Sequence, residues 1–544
     1  MPLKILFTIG LFVVCSVLQQ GVAQNISASV TNSLRYGSGR ENIGEGGFVS
    51  EIRKEYLDNV ADSRFFINNV IVGFRFDLSQ QPEYGVPYRG IRKKFVEYNR
   101  DGVGFRAGDV YALFNNGLSL NLFENRALAF DNGVEGIRAS YRAKQWNTML
   151  IGGEVDYIEP VTIALGPLRI EHYSVRGGII EFSQLKHITL SGSYISAKGK
   201  HPTFITDVFD SATTHLPEVS ASLHFPIADM NISYVTKTTT VNERDSASGS
   251  GFYASVSHTG NGYGITFEYK DYRFDIVDDI HNDNFRTTRM LPLQNPPTVH
   301  KEHSYTLLTR YPHVTNFNDE VGFQLDAFYA VNEKMTLNGN IAHSSRHYAF
   351  ENINFATLQM ERRTIGSQFL PSFAKERSPF WEIYADVEYF FADAESYFKI
   401  GINRRSEITY TALVQILEQY TRQTAIPAVV QYTFNEVWSA KLSNELQWVT
   451  KFPETQPFFN HLIAVQLAHS PDYSVGLRYE YTTHEYEPQD EKHWLVGEVG
   501  YHIGANNLVG ITYGAERGGQ VCSNGICRVI SPYKGFRLSF TSQF

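Results

Sequence analysis

Past its first two dozen residues the chain has no apolar run long enough to cross a membrane as a helix. A helical span needs about 20 predominantly apolar residues. Here Arg, Lys, Glu, Asn or Gly interrupts each apolar stretch within a few positions. If the mature chain crosses a membrane, it must do so as a closed barrel, because lipid leaves no other way to satisfy backbone hydrogen bonds. Basic blocks are missing as well. The net charge is −9, with both signs spread along the chain, so nucleic acid is not an expected partner. Also missing are a Gly-x-Ser-x-Gly elbow, a P-loop, a His-Glu-x-x-His pair and a dinucleotide fingerprint. No catalytic residue and no cofactor is therefore assigned. Barrel hydrolases scatter their residues along the chain, so an outer-membrane hydrolase stays as the third of three functional readings.

Cysteine is scarce, with 3 in 544 residues. Cys15 lies in the N-terminal apolar segment. Val13 and Val14 precede it where a lipoprotein signal would carry a small residue, so it reads as part of that segment. The other two stand in Cys522-Ser523-Asn524-Gly525-Ile526-Cys527. Asn-Gly is a turn signal, so the two thiols face each other across a hairpin tip. In an exported protein they are expected to form a disulfide. Two sulfurs are only half of a zinc site, and no histidine is near in sequence.

Aromatic residues are plentiful: 32 Tyr, 38 Phe and 5 Trp, or 14% of the chain. A lipid-facing wall with two aromatic girdles uses residues in this way. The N-terminus reads as a secretory signal. Lys4 supplies the positive region, residues 5–18 the apolar region, and Gly21-Val22-Ala23 a small-x-small cleavage site. The expected division is a signal peptide over 1–23 and one barrel domain over 24–544.

The internal signal is alternation with period two over segments of about ten residues. Val475, Leu477, Tyr479 and Tyr481 alternate with Ser474, Gly476, Arg478 and Glu480. Val321, Phe323, Leu325, Ala327 and Tyr329 alternate with Glu320, Gly322, Gln324, Asp326 and Phe328. Phe536, Leu538, Phe540 and Phe544 share a face with Ser542, and Arg537, Ser539, Thr541 and Gln543 share the other. A water-filled barrel needs this dyad, apolar toward lipid and polar toward the lumen.

The connections alternate too. Short turns are expected near 67–69, 100–102, 143–146, 183–187, 226–229, 259–262, 331–334, 392–395, 435–437, 470–472 and 504–506. Longer polar links fall at 38–53, 80–90, 114–131, 198–217, 241–250, 275–319, 347–379, 407–424, 451–457, 485–491 and 516–534. The pattern predicts an all-β, transmembrane, up-and-down antiparallel β-barrel of a Gram-negative outer membrane. It has about 24 strands, within a range of roughly 20–26, with short periplasmic turns and long extracellular loops. The first strand is expected at about 26–37. Strands begin directly after the signal, leaving no room ahead of the barrel for a separate plug domain. Wall side chains alone cannot fill a barrel of this size. The lumen must be open, or occupied by loops, with 114–131, 275–319 and 347–379 as candidates.

Two stretches carry a resemblance. One is Gly108-Asp109-Val110-Tyr111-Ala112-Leu113-Phe114-Asn115-Asn116-Gly117-Leu118, continuing to Glu124-Asn125-Arg126-Ala127-Leu128-Ala129-Phe130-Asp131-Asn132. The other is Glu302-His303-Ser304-Tyr305-Thr306-Leu307-Leu308-Thr309-Arg310-Tyr311-Pro312-His313. With the Cys522–Cys527 tip and Phe544, they resemble a family of Bacteroidota and Chlorobi-type outer-membrane proteins of unknown function. Asn115-Asn116-Gly117 stands where that family's pattern has Gly-x-Gly. The resemblance implies location and fold, and brings no substrate and no catalytic residues. Separately, Phe540 and Phe544 are similar to the C-terminal aromatic signal that barrels present to their insertion machinery.

Several clusters have two readings each. Asp109, Glu124, Arg126 and Asp131 crowd one segment. They either line a constriction that touches solute, or form ion pairs that pin a loop to the wall. His300, His303, Arg310 and His313 offer a ligand contact or plain loop packing, and their spacing suits no helix-borne zinc motif. Asp275, Asp278, Asp279, His281 and Asp283 form an oxygen-rich loop without the Gly and distal Glu of an EF-hand. A solvated acidic loop is expected there, and no metal site is assigned. Charges of both signs on the strands, among them Arg138, Arg142, Glu268, Lys270, Glu388, Lys399, Lys441, Glu445, Arg478 and Glu480, point to a lumen without strong ion selectivity.

The leading functional reading is passage or uptake of an unidentified solute through a loop-constricted lumen. The second is a non-conducting accessory barrel that holds a surface lipoprotein or assists secretion. Outer-membrane lipids, lipopolysaccharide and the insertion machinery are expected partners under both.

Overall fold

The computed structural model describes residues 26–43, 50–83, 86–158, 170–202, 209–243, 245–274, 291–354, 359–363, 366, 368–392, 395–412, 416–452, 454, 456–487, 491–523 and 526–544. The expected signal peptide, the Asp275–Asp283 cluster and the Asn524-Gly525 turn lie outside them.

Twenty-four antiparallel strands form one closed sheet. Each barrel strand pairs with the next one along the chain. Ring closure comes from the ends: Ile26–Ile43 pairs with Tyr533–Gln543, from Thr31 opposite Gln543 to Glu41 opposite Tyr533. Phe540 sits opposite Leu34 and Val509, so the last strand is gripped on both edges. Phe544 extends the seam through backbone bonds in both directions with Val30, at 3.0 and 2.8 Å.

Alternation decides which side chains go where. On Trp438–Lys451, Leu442 and Trp448 are exposed outside while Glu445 and Gln447 are buried inside. On Phe380–Phe391, Ile383 faces out and Glu382, Tyr384 and Asp386 face in. Aromatic pairs ring the outer wall at the short-turn end, including Trp146 with Phe182 (4.5 Å between centroids), Tyr389 with Phe398 (5.5 Å) and Tyr432 with Phe434 (5.0 Å). Apolar wall and aromatic rim together suit a surface that faces lipid.

Every expected short turn is present at one end of the barrel. Asp101 and Gly102 show the local cause. Their φ values are +51° and +82°, the left-handed pair that a tight hairpin requires and that Asp-Gly adopts at small cost. At the other end, three stretches read as long polar links are mostly strand. Ile188–Pro202 and Phe209–His224 reach into 198–217 from either side. Asp229–Val241 and Asp245–Gly260 nearly meet, as do Ser396–Ala412 and Ile416–Thr433. The polar residues there mark water on both faces of a strand rather than a break in pairing. The first strand likewise runs on to Ile43.

One pair of strands is unusually short. Val103–Val110 has 8 residues and Val134–Arg142 has 9, while neighbours elsewhere reach 18. The chain therefore leaves the wall partway up, at Val110, and turns inward.

Candidate functional site

At ~4.8 Å between strands and ~40° tilt, 24 strands enclose a ring roughly 50 Å across. Two segments, 111–133 and 291–319, enter this space. Of the three candidate loops, the described residues of 347–379 do not enter: they lie over the outer wall, where Tyr410 stacks on Phe350 (4.3 Å) and Tyr269 bonds the Phe369 carbonyl (2.5 Å).

The first segment is driven in by its apolar residues. Phe114, Leu118 and Leu120 are fully buried, and Leu122 is nearly so. They join one cluster with inward-facing wall residues, among them Val155, Val175, Ile195, Leu216 and Val235. This half of the wall departs from the polar-inside expectation, because its lumen face packs against a loop instead of water. Each fully buried side chain of this size contributes about 1.5–3 kcal/mol.

Polar atoms at the tip are matched individually. Asn115 Nδ2 donates to Glu218 Oε1 (3.0 Å) and Ser191 donates to Asn115 Oδ1 (2.6 Å). Asn116 Nδ2 reaches Asn231 (2.7 Å) and Ser233 (2.8 Å), and Ser119 donates to the Glu218 carboxylate. Ser191 and Asn231 stand within a few residues of the short turns, so the tip spans most of the depth of the lumen.

The two segments brace each other. Asn121 N–H donates to the Leu293 carbonyl (2.7 Å), Gln294 Nε2 to the Leu118 carbonyl (2.7 Å), and Asn132 Nδ2 to the Pro292 carbonyl (2.8 Å). Gly117 sits at the crossing with φ +80°, and a Cβ there would lie 2.7 Å from the Asn295 carbonyl oxygen. The residue that ends Asn115-Asn116-Gly117 is thus required by close backbone approach.

The second segment enters the same apolar cluster through Leu291, Leu293, Val299 and Phe317, and from His303 onward it is held mainly by charge. Lys270 and Glu320, both fully buried, pair at 2.6 Å where it rejoins the wall. His303 Nε2 meets Glu382 at 3.0 Å. The Glu445 carboxylate accepts the backbone N–H groups of Thr306 (3.1 Å) and Leu307 (2.7 Å) at the start of a single helical turn, Thr306–Thr309. Arg310 pairs with Glu480 and donates to the Gly518 carbonyl (2.6 Å). His313 bridges Glu407 (2.8 Å) and Glu320 (3.2 Å) and stacks on Phe380 (3.9 Å). Burial opposes its charge, but the two carboxylates outweigh burial and hold its pKa above the ordinary histidine value. Neighbouring His300 has no such pair. Burial, reinforced by the His313 charge, pushes it down to about 3.

The four candidate residues of 109–131 do come together on one side. Lys93 bridges Asp131 (2.5 Å) and Asp109 (3.4 Å), Arg75 clasps Glu124 (2.7 Å), and Arg126 approaches Asp62 (3.9 Å). Their wall partners were not legible in sequence, nor were Glu218, Glu382 and Glu407, because each pairing depends on register across the ring. Glu445, Glu480 and Lys270 were identifiable from strand parity. Cys522 is disulfide-bonded and stands in register with Cys527. Among the described residues no group of three or more His, Cys, Asp or Glu is placed to hold a metal. Among the described residues, two cavities at the long-loop end are bordered by charges of both signs. One, of about 240 Å³, lies between Arg310, Arg478, Glu480, Trp494 and Arg517. The other, of about 280 Å³, lies between Arg40, Glu51, Glu491, Glu516 and Lys534.

A family model described as "Family of unknown function (DUF6029)" matches residues 3–544. No curated protein matches the chain in sequence. Solved structures similar to it include the siderophore receptor PirA from Pseudomonas aeruginosa, at 9% identity and TM-score 0.43, over 95% of this chain and 80% of that one. The copper transporter OprC aligns at 10% identity and TM-score 0.46, over 96% and 81%. The P pilus usher (PapC) translocation pore aligns at 6% identity and TM-score 0.40, over 95% and 99%.

Proposed function

The chain belongs to the DUF6029 family of unknown function, and we propose that it is an outer-membrane barrel that passes or takes up a solute through a lumen constricted by its own loops. The observation that carries this reading is the pair of segments, 111–133 and 291–319, that cross the lumen and bond to each other inside it. An apolar outer wall with an aromatic rim supports a place in lipid, with the short turns toward the periplasm. Under this proposal residues 1–23 are the export signal, Phe540 and Phe544 the insertion signal, and the host a Bacteroidota or Chlorobi-type bacterium. Asp109, Glu124 and Asp131 border the constriction while paired to the wall, and His303, Arg310 and His313 hold the second segment in place. The flanking cavities carry both charge signs, so the solute path is not strongly ion-selective. The reading assigns no catalytic role.

The test is single-channel conductance in planar bilayers, comparing the full chain with a variant in which a short Gly-Ser linker replaces 291–319. A rise in conductance on replacement is expected. An unchanged, silent bilayer in both forms overturns transport and favours the second reading, a non-conducting accessory barrel with a lipoprotein or secretion partner. The many closed ion pairs along the second segment are what favours that alternative.

A further inference from the structure

The loop between the strands Met335–Ser345 and Phe380–Phe391 is clipped to the outside of the barrel. The outward parity of these strands is set by Ile341 and Ile383, and on the strand Tyr263–Arg273 by Ile265 and Phe267, all exposed. Tyr269 and His343 share that parity and hold the loop. Tyr269 donates to the Phe369 carbonyl (2.5 Å) and its ring lies 5.3 Å from the Phe369 ring. Phe373 stacks on His343 at 3.9 Å and 10°. Between them, Ser372 N–H donates to Ser345 Oγ (2.9 Å). Further on, Arg377 is buried and its backbone and side chain bond Arg346 (2.8 Å) and His347 (2.9 Å).

The backbone is thus fixed at both ends of Gln368-Phe369-Leu370-Pro371-Ser372-Phe373-Ala374, yet the apolar side chains are not covered. Phe369 is 73% exposed, Leu370 63% and Phe373 71%. Three large apolar groups held rigidly outward form a patch that runs straight on from the apolar wall below it. Its height is set by the strands. Tyr269 is the seventh residue of its strand counted from the short turn and His343 the ninth, and about 9–11 tilted residues cross the hydrocarbon core. The patch therefore sits where hydrocarbon gives way to headgroups, the level at which aromatic side chains concentrate. Lys375, 62% exposed and 3.7 Å from the Glu418 carboxylate, follows immediately.

We propose that 368–375 is an interfacial strap that inserts Phe369, Leu370 and Phe373 into the outer leaflet. The inference rests on the barrel spanning a membrane, and it gives the loop a lipid partner that the transport reading does not require.

The test places one nitroxide label per molecule on the full chain in lipid nanodiscs, at Phe373→Cys, at Ile341→Cys on the wall and at Asp101→Cys on a short turn. Label uptake by the parent chain gives the background. Power saturation then compares collision with oxygen, which partitions into lipid, and with a water-soluble nickel chelate. The Phe373 label is expected to favour oxygen several-fold over the Asp101 label, as the Ile341 label does. A Phe373 label that behaves like Asp101 while Ile341 remains in lipid overturns the strap and leaves the barrel intact. Ile341 and Phe373 labels that both meet the chelate overturn the membrane reading itself. A Phe373 label shielded from both reagents with spin–spin broadening means that a second copy covers the patch, which also overturns the strap. Leu370→Cys repeats the measurement should Phe373→Cys not fold.

Discussion

Segments 111–133 and 291–319 enter the same lumen and touch there, but the wall grips them by different means. The first brings Phe114, Leu118, Leu120 and Leu122 against wall residues that are themselves apolar. The second shares that cluster through Leu291, Leu293, Val299 and Phe317, but its stretch from residue 303 on brings His303, Arg310, His313 and two backbone N–H groups to Glu382, Glu480, Glu407 and Glu445. Burial of apolar surface is non-directional and indifferent to pH. Buried ion pairs are directional, costly to break and tied to protonation. A barrel built this way has a fixed half and a half that a proton or a charged solute can loosen.

The sharpest way to break the contrast is in the fixed half. Phe114→Ala removes a fully buried ring from the lumen cluster, and about 3–5 kcal/mol of stability should be lost. Urea unfolding in micelles at two pH values measures it, and the loss should be the same at both. In the ionic half, Glu445→Ala leaves Thr306 and Leu307 N–H without their carboxylate. A cost of about 1.5–3 kcal/mol is expected, together with more frequent opening events in single-channel records. Least affected should be Arg126→Ala. Its partner Asp62 is 3.9 Å away and both side chains are nearly half exposed, so stability should change by no more than ~0.5 kcal/mol. A large conductance change in that variant would make Arg126 part of the solute path instead of a loop tether.

Much of this fold is written locally. Period-two alternation and Gly-, Asn- and Pro-marked turns place the strands, since both signals need only a few consecutive residues. Asp101-Gly102 shows its turn without any tertiary help. Alternation is weaker where both faces of a strand are apolar. Leu190 and Tyr194 are exposed on the outer face while Ile195 and Ala197 are buried on the inner one, because the lumen side here packs against a loop. Loop destination is not local at all. The side of the wall that 347–379 takes depends on Tyr269 and His343, which lie on strands distant in sequence. The carboxylates that receive His303 and His313 are visible as charges but not as partners, because register around a 24-strand ring decides who meets whom.

Hydrogen–deuterium exchange of the full chain in nanodiscs, stepped from about pH 6 to about pH 9 and corrected for intrinsic exchange rates, tests the two-part plug most directly. His313 has a raised pKa in the folded state. Its stabilisation is complete below the unfolded value of about 6.5 and is lost as pH climbs through the folded value. Residues 303–316 should lose protection over that climb while 111–133, and the 291–299 stretch packed against it, stay protected, and His313→Gln should abolish the pH step. Equal loss in both segments, or a step that survives His313→Gln, would contradict the division of the lumen into a fixed and a releasable half.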